Sequence, residues 1–162
     1  MRPAQESIDI SRDLVSLLPR LRRFALTLTR NGANADTLVE AVCARATGRQ
    51  TVWNGHGRLE DTLYTLARTL HDERTARRSP ATEAHAAAET MAKSGFTDPV
   101  QRMIISMPSG LASVFLLVAV EHHSYRETAH ILGLSPDAVA GKLAMARRQL
   151  AAMASDISER RA

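Results

Sequence analysis

The sequence predicts an all-α protein made of two small helical domains joined by a linker. Aromatic residues make up only 4% of its 162 residues, so the core must consist of Leu, Ala, Val, Ile and Met, a mixture typical of helical proteins. Two blocks of apolar residues at three- and four-residue spacing flank a stretch with few large apolar side chains. We therefore expect helical domains at residues 1–78 and 98–162, with a linker at residues 79–97.

The first block contains three predicted helices. The first carries apolar residues from Leu14 to Leu28 and is expected to end near Asn31. The second is expected to begin at Asn34, because an asparagine side chain can cap the free amides of a helix, and to end at Gly48.

A third helix follows a polar loop that contains Trp53. Its apolar residues run from Leu59 to Leu70, and its end carries Arg74, Arg77 and Arg78. Positive charge near a helix C-terminus is favoured by the helix dipole, and the same arginines can bind a nucleic-acid backbone. Trp53 can stack on an unpaired base or pack against its own domain, and the sequence leaves both open.

The centre of the second block is the segment LASVFLLVAVE, which follows Ser109. We expect Ser109 to cap this helix. Because the segment is apolar on most sides, it is predicted to be the buried centre of a small bundle.

The segment SYRETAHILGLSPDAVAGKLAMARRQL is punctuated as a helix-turn-helix. Ser124 and Glu127 have the spacing of a capping box, and Gly133 stands where a glycine often ends a helix. Ser135 can cap the next helix, with Pro136 at its first position. The inward stripe of that second helix is predicted to be Val139, Leu143, Ala146 and Leu150.

The outward face of the second helix is predicted to meet DNA, since this helix enters the major groove in helix-turn-helix proteins. Its basic residues, Lys142, Arg147 and Arg148, can bind guanine or phosphate. Asp137 can accept a hydrogen bond from cytosine. Few other side chains on this face can read bases, so we expect weak direct readout.

The charge and the residue types of the chain indicate which ligands it can bind. The net charge is +4 and the sequence pI is about 10.0, almost wholly from arginine, which suits phosphate and carboxylate equally. His122, His123 and His130 have no cysteine or carboxylate cluster at ligand spacing, so we expect neither a metal nor another cofactor. Cys43 is the single cysteine and is expected to fill an apolar face.

No catalytic residue is predicted, because the sequence has neither a phosphate-binding glycine loop nor a nucleophile elbow. We therefore do not expect an enzyme. No apolar run reaches the length of a membrane span, and the first residues do not resemble a signal peptide. We expect a cytoplasmic protein that does not enter membranes.

The order of these parts resembles the extracytoplasmic-function sigma factors, bacterial initiation factors with two helical domains on a linker. LLPRLRRFALTLTRNGANADTLVEAVCARA and GRLEDTLYTLARTLHDERTARR resemble the helices of the promoter-melting domain, sigma region 2. MPSGLASVFLLVAVEHHSYRETAHILGLSPDAVAGKLAMARRQL resembles the promoter-binding domain, sigma region 4. The resemblance implies a region 2-like three-helix bundle followed by a region 4-like helix-turn-helix bundle.

The resemblance also implies a function. Such a protein binds core RNA polymerase, places its helix-turn-helix on the −35 promoter element, and helps to open the −10 element with its first domain. Asp36 and Glu40 are the implied polymerase-binding residues. An anti-sigma factor is the further implied partner, and the free chain is expected to be a monomer.

The sequence departs from the family pattern at Thr37, Ala41, Thr62, Thr69, Ala140 and Gly141. Two functions therefore stay open. The first is a divergent sigma factor whose weak promoter contact is strengthened by tethering to polymerase. The second is a sigma-like decoy that binds an anti-sigma factor and so regulates another sigma factor by competition. A free-standing DNA-binding regulator is a third class, but the sequence lacks a heptad seam for dimerisation.

One conformational alternative also stays open. The two domains of the free chain can fold back on each other and separate only when a partner binds. Because the alanine-rich residues 84–88 offer little surface for docking, we expect such a closed state to be shallow, that is, only slightly more stable than the open one.

Overall fold

The computed structural model describes residues 10–48, 57–78 and 99–160. Within these ranges the chain forms seven α-helices and one π-helical turn, and no strand, so the predicted all-α class is confirmed. The first three helices are α1 (Ile10–Thr29), α2 (Gly32–Ala46) and α3 (Leu59–Ala76). The predicted linker at residues 79–97 and Trp53 both lie outside the described residues.

Four helices follow in the second half of the chain. They are α4 (Pro99–Ser106), α5 (Ser109–Phe115), α6 (Tyr125–Leu132) and α7 (Pro136–Glu159), and the π-helical turn Leu116–Val120 continues α5. None of the helices among the described residues combines the length and the apolar character needed to cross a membrane.

The first three helices pack on one another around large buried side chains. The rings of Phe24 of α1 and Tyr64 of α3 pack at a tilt of 50° with centroids 4.9 Å apart, and Leu38 and Val42 of α2 are fully buried. Half-buried Cys43 packs against the same core, as predicted for a thiol on an apolar face.

Two predicted helix caps are wrong. Asn31, not Asn34, caps α2: its backbone is extended, and its side chain accepts from the amide of Asn34 at 2.9 Å. A capping side chain must reach an amide two or three residues onward, which places the cap before Gly32. Ser109 is already the first residue of α5, and the carbonyl of Pro108 accepts from the amides of Leu111 and Ala112.

The helix-turn-helix forms as predicted. The hydroxyl of Ser124 accepts from the Glu127 amide at 3.2 Å, and the Glu127 carboxylate accepts from the Ser124 amide at 2.7 Å, which completes the capping box. Gly133 ends α6 with φ +65°, and Ser135 caps α7 through the amide of Ala138. Three residues of the inward stripe are fully buried and the fourth is half-buried: Val139, Leu143, Ala146 and Leu150.

Residues from both halves of the chain share one hydrophobic core. Leu117 of the π-helical turn and Ile131 of α6 lie in the same buried cluster as Phe24 and Tyr64. The closed arrangement therefore has substantial docking surface, contrary to the expectation of a shallow state. That surface comes from helices far from residues 84–88, which is why the composition of the linker did not indicate it.

Candidate functional site

The recognition helix α7 turns a sparsely basic face outward. Arg147, Arg148 and Asp137 are exposed, as is Gly141. Lys142 is half-buried, and its Nζ lies 3.6 Å from the point where a Cβ on Gly110 would be. Two arginines therefore provide most of the positive charge that this face presents to solvent.

The arginines predicted at the end of α3 lie where the helix stops. Arg74 is half-buried in the last turn, and Arg77 and Arg78 are exposed beyond it. The amide of Arg77 donates to the carbonyl of Arg74, which closes the helix end. Each of these guanidinium groups reaches solvent at least in part.

The two predicted polymerase-binding residues lie on the exposed face of α2. Asp36 accepts from Nε of Arg22 at 2.7 Å, and Glu40, one turn further along, is exposed. Thr37 is also exposed, with its hydroxyl bonded to the carbonyl of Ala33, and Ala41 is half-buried. Packing of the second domain leaves this face of α2 accessible.

One side of α3 lines an open groove of about 410 Å³. Thr62 and Thr69, two of the positions that depart from the family pattern, lie on this side of α3 with Leu66. His130 of α6 contributes to the lining from the other domain. The groove therefore lies between the two domains, a position that no local sequence signal indicates.

A buried carboxylate joins the second domain to α1. Glu121, directly after the π-helical turn, is 7% exposed and accepts hydrogen bonds from Arg20 and from Nη2 of Arg23, the latter at 2.9 Å. Burial raises the pKa of Glu121, but the hydrogen bonds from Arg23 and Arg20 outweigh it, so the net pKa lies below its ordinary value. Glu121 is therefore a charged group with two cationic partners in the other domain.

A second contact involves His123, whose side chain is fully buried. Its Nε2 lies 2.8 Å from Oδ1 of Asp61 and 3.7 Å from Oε1 of Glu60. The expectation that these histidines have no carboxylates at ligand spacing is wrong for His123, because the carboxylates come from α3 rather than from neighbouring sequence. Arg20 and Arg58 both pair with Glu60, so the positive charge opposite that carboxylate comes from arginine.

Sequence reasoning missed this whole set of residues, named here the interdomain cluster: Arg20, Arg23, Glu60, Asp61, Glu121 and His123. One signal was present. Glu121 is a lone acid at the end of an apolar segment predicted to be buried, and a buried charge requires a partner. Nothing in the sequence indicated which residue pairs with Glu121, because about a hundred residues separate it from Arg20.

Comparisons with known proteins match both halves of the chain. Residues 97–150 match the family model described as "Sigma-70, region 4", and residues 14–71 match "Sigma2 domain of PhyR". The chain is also similar to the ECF RNA polymerase sigma factor EcfG of Rhodopseudomonas palustris. The two are 26% identical over 149 residues, which cover 87% of this chain and 82% of that protein.

Solved structures share the fold. The sigma factor RpoE of Bartonella quintana, solved in complex with the anti-sigma factor NepR, matches with TM-score 0.70 and 21% identity over 88% of this chain and 94% of that one. CnrH, solved with the cytosolic domain of CnrY, matches with TM-score 0.58 and 20% identity over 90% of each chain. The anti-anti-sigma factor PhyR of B. quintana, solved with NepR, matches with TM-score 0.57 and 20% identity, over 86% of this chain and 49% of that one.

These matches agree with the geometry. A three-helix domain of the region 2 type precedes a helix-turn-helix domain of the region 4 type, and the similarity to the Rhodopseudomonas palustris sigma factor extends over 87% of the chain. The exposed arginines of α7 stand on the outer face of that helix-turn-helix. The chain therefore consists of a sigma region 2 domain followed by a sigma region 4 domain, and over most of its length it is similar to an extracytoplasmic-function sigma factor.

Proposed function

We propose that this protein is a divergent sigma factor that directs core RNA polymerase to promoters from within the cytoplasm. In this proposal residues 98–162 bind the −35 element, residues 1–78 act on the −10 element, and residues 79–97 link them. One observation carries the proposal. The buried stripe of Val139, Leu143 and Ala146 leaves Arg148 on the opposite side of α7 and Arg147 exposed beside the stripe.

The DNA contact is mainly electrostatic. Arg147 and Arg148 bind phosphates or guanine, while Lys142 contributes less because it leans toward α5. Asp137 at the start of α7 repels the backbone and limits where the helix can sit. With so few base readers, promoter affinity depends on tethering to polymerase, which makes the second contact intramolecular.

The polymerase contact uses the exposed face of α2. Glu40 presents its carboxylate to solvent, whereas Asp36 is held by Arg22 and must exchange that partner for one on polymerase. Exposed ion pairs of this kind are worth little, typically about 0–1 kcal/mol, so the exchange is inexpensive. At the end of α3, Arg74, Arg77 and Arg78 bind the backbone of the opened −10 strand.

A second candidate function is a sigma-like decoy that binds an anti-sigma factor. The first domain matches the sigma2 domain of PhyR, and a solved PhyR is described as an anti-anti-sigma factor bound to NepR. Few side chains on α7 can hydrogen-bond to bases, which also fits a chain that no longer binds promoters. In either function an anti-sigma factor is the proposed protein partner, since the RpoE relative is likewise bound to one.

In vitro transcription distinguishes the two functions. Purified chain and core polymerase are incubated with genomic promoter fragments from the same organism, and transcripts are mapped. Under the sigma function, promoter-specific transcripts appear and are lost in the Arg147→Ala/Arg148→Ala variant but not in the control Arg160→Ala. If the chain binds an anti-sigma helix yet forms no complex with core polymerase, the sigma function is wrong and the decoy function is supported.

A further inference from the structure

We propose that Arg20, Arg23 and Glu121, named here the clasp, hold the two domains of the free chain closed, and that closure places one side of α3 in a groove beside α6 until a partner opens it. The closed state rests on contacts seen in the structure. Only its consequence, that closure restricts the approach of an opened DNA strand to α3, rests on the proposed function.

The clasp crosses between the domains at both of its bonds. The side chain of Glu121 is 3% exposed, whereas those of Arg20 and Arg23 are 29% and 44% exposed. Arg23 binds Glu121 at 2.9 Å, and Arg20 bridges Glu121 and Glu60. The carboxylate thus depends on the other domain for its stabilisation, because little water reaches it.

The backbone on both sides of Glu121 is irregular, and this irregularity turns its side chain toward the first domain. The π-helical turn closes with the amide of Glu121 donating to the carbonyl of Leu116 at 2.9 Å. His122 then takes a left-handed conformation, with φ +59°. A non-glycine residue in this region carries strain, and π-helical turns are enriched at functional sites. These two irregular steps direct Glu121 toward α1 and the next side chain, His123, toward Asp61 of α3.

Further contacts support the closed state along the junction. Nε of Arg68 donates to the carbonyl of Ile131 at 2.8 Å, and the buried hydroxyls of Thr27 and Ser113 lie 2.9 Å apart. Each of these pairs joins α1 or α3 to the second domain. Buried polar groups without partners are costly, so separating the domains requires water to replace every one of these bonds.

Closure limits access to α3. Thr62, Leu66 and Thr69 line the groove of about 410 Å³ that α6 shares through His130. A groove of that size accommodates a small molecule, whereas a bound single strand spans about four or more nucleotides. In the closed chain α6 therefore stands beside this side of α3, so a strand can approach it only through the open face of the groove.

The carboxylate of the clasp is more deeply buried than its two arginines, and this difference makes the clasp testable. Removing Arg23 leaves Glu121 buried with one partner fewer, and opening the domains relieves this by hydrating the carboxylate. Neutralising Glu121 instead leaves arginines that are already partly hydrated. Loss of an arginine should therefore open the chain more than loss of the carboxylate charge.

Single-molecule energy transfer on the full chain tests the closed state. Donor and acceptor are attached through Ala44→Cys on α2 and Ala151→Cys on α7, both exposed positions, in a Cys43→Ala background. We expect one dominant high-transfer population. Glu121→Arg should turn attraction into repulsion and raise the open fraction about tenfold or more, Arg23→Met should raise it several-fold, and Glu121→Gln should have the smallest effect.

Compensation separates a specific clasp from general damage. Adding Arg23→Glu to Glu121→Arg should restore part of the high-transfer population, because Arg20 still faces the new arginine, whereas Glu159→Arg, an exposed charge reversal at the end of α7, should leave it unchanged. Circular dichroism checks that each variant keeps its helices. An unchanged transfer distribution in helical Glu121→Arg overturns the proposal. So does an unchanged distribution in Arg23→Met, which removes the guanidinium that donates to Glu121 from a partly exposed side chain.

Failure of the clasp and failure of the proposed function give different results. If the chain opens as expected but yields no transcript with polymerase, the clasp stands and the sigma function fails. If transcription is observed but no clasp variant changes the energy-transfer distribution, the clasp proposal is wrong and the sigma function stands.

Discussion

The guanidinium of Arg68, on α3, lies against Gly133, the residue that ends α6 in the other domain. Its Cζ is 3.7 Å from the point where a Cβ on Gly133 would be, and its Nε donates to the carbonyl of Ile131, two residues earlier. The need for glycine here comes from the backbone. Its left-handed conformation ends the first helix of the helix-turn-helix, whereas a Cβ would stand at ordinary contact distance from the arginine of the first domain.

We predict that Gly133→Ala destabilises the chain by about 1–2 kcal/mol, because an alanine is strained at φ +65°. Urea unfolding measures the change. Gly141→Ala is the matched control: Gly141 lies inside α7 with nothing within 4 Å of an added Cβ, so alanine should stabilise the chain by about 1 kcal/mol. Effects of equal sign at the two positions would contradict this explanation of the turn.

The capping box gives a second prediction. Ser124→Ala removes the hydroxyl that accepts from the Glu127 amide, and should lower the free energy of unfolding by about 1 kcal/mol. Ser155→Ala is the control, since that hydroxyl bonds to a carbonyl within its own helix and is exposed. Thermal and urea unfolding of both variants should show a loss for Ser124→Ala alone, and a comparable loss in the control would argue against the cap.

A third prediction concerns the dependence of stability on pH. Hydrogen bonds from Arg23 and Arg20 more than offset burial and place the pKa of Glu121 below its ordinary value of 4.5. A carboxyl whose pKa is lower in the folded chain stabilises it fully above the ordinary value, and this stabilisation is lost as the pH falls from there through the folded pKa. Unfolding free energies measured between pH 7 and pH 3 should therefore decline at the acid end.

Substitutions show which carboxyl groups cause this loss of stability at acid pH. Glu121→Gln should flatten the acid limb, because the amide cannot release or take up the proton. Glu127→Gln is a useful comparison: the backbone and side-chain hydrogen bonds of Ser124 also lower the pKa of Glu127, so this variant should remove a separate part of the slope. A pH profile unaltered by Glu121→Gln would mean that Glu121 is not a charged, hydrogen-bonded group in the folded chain.

The fourth prediction concerns DNA. Arg147→Ala together with Arg148→Ala should weaken binding to duplex DNA. The slope of log affinity against log salt should fall by about 1 for every phosphate that these arginines no longer neutralise. Fluorescence anisotropy at several salt concentrations gives this slope. Arg160→Ala, an exposed arginine just past the end of α7, should leave it unchanged. An unaltered slope in the double variant would show that α7 does not face the duplex.

Local features of the sequence were predicted well. The capping box at Ser124, the helix stop at Gly133 and the cap at Ser135 all depend on bonds between residues three to five apart, so the order of residues specifies them. Asn34 shows the limit of such prediction. Asn31 and Asn34 are both able to cap, and the extended backbone at Asn31 decides between them.

The sequence by itself determined the helices, their amphipathic stripes, the helix-turn-helix and the family that these features resemble. Tertiary structure alone decided that Glu121 meets Arg20 and Arg23, that His123 meets Asp61, and that one side of α3 faces a groove shared with the second domain. The physical reason is the range of the interactions. Caps and stripes arise from neighbours along the chain, whereas partners for buried charges are set by how the finished helices pack against one another.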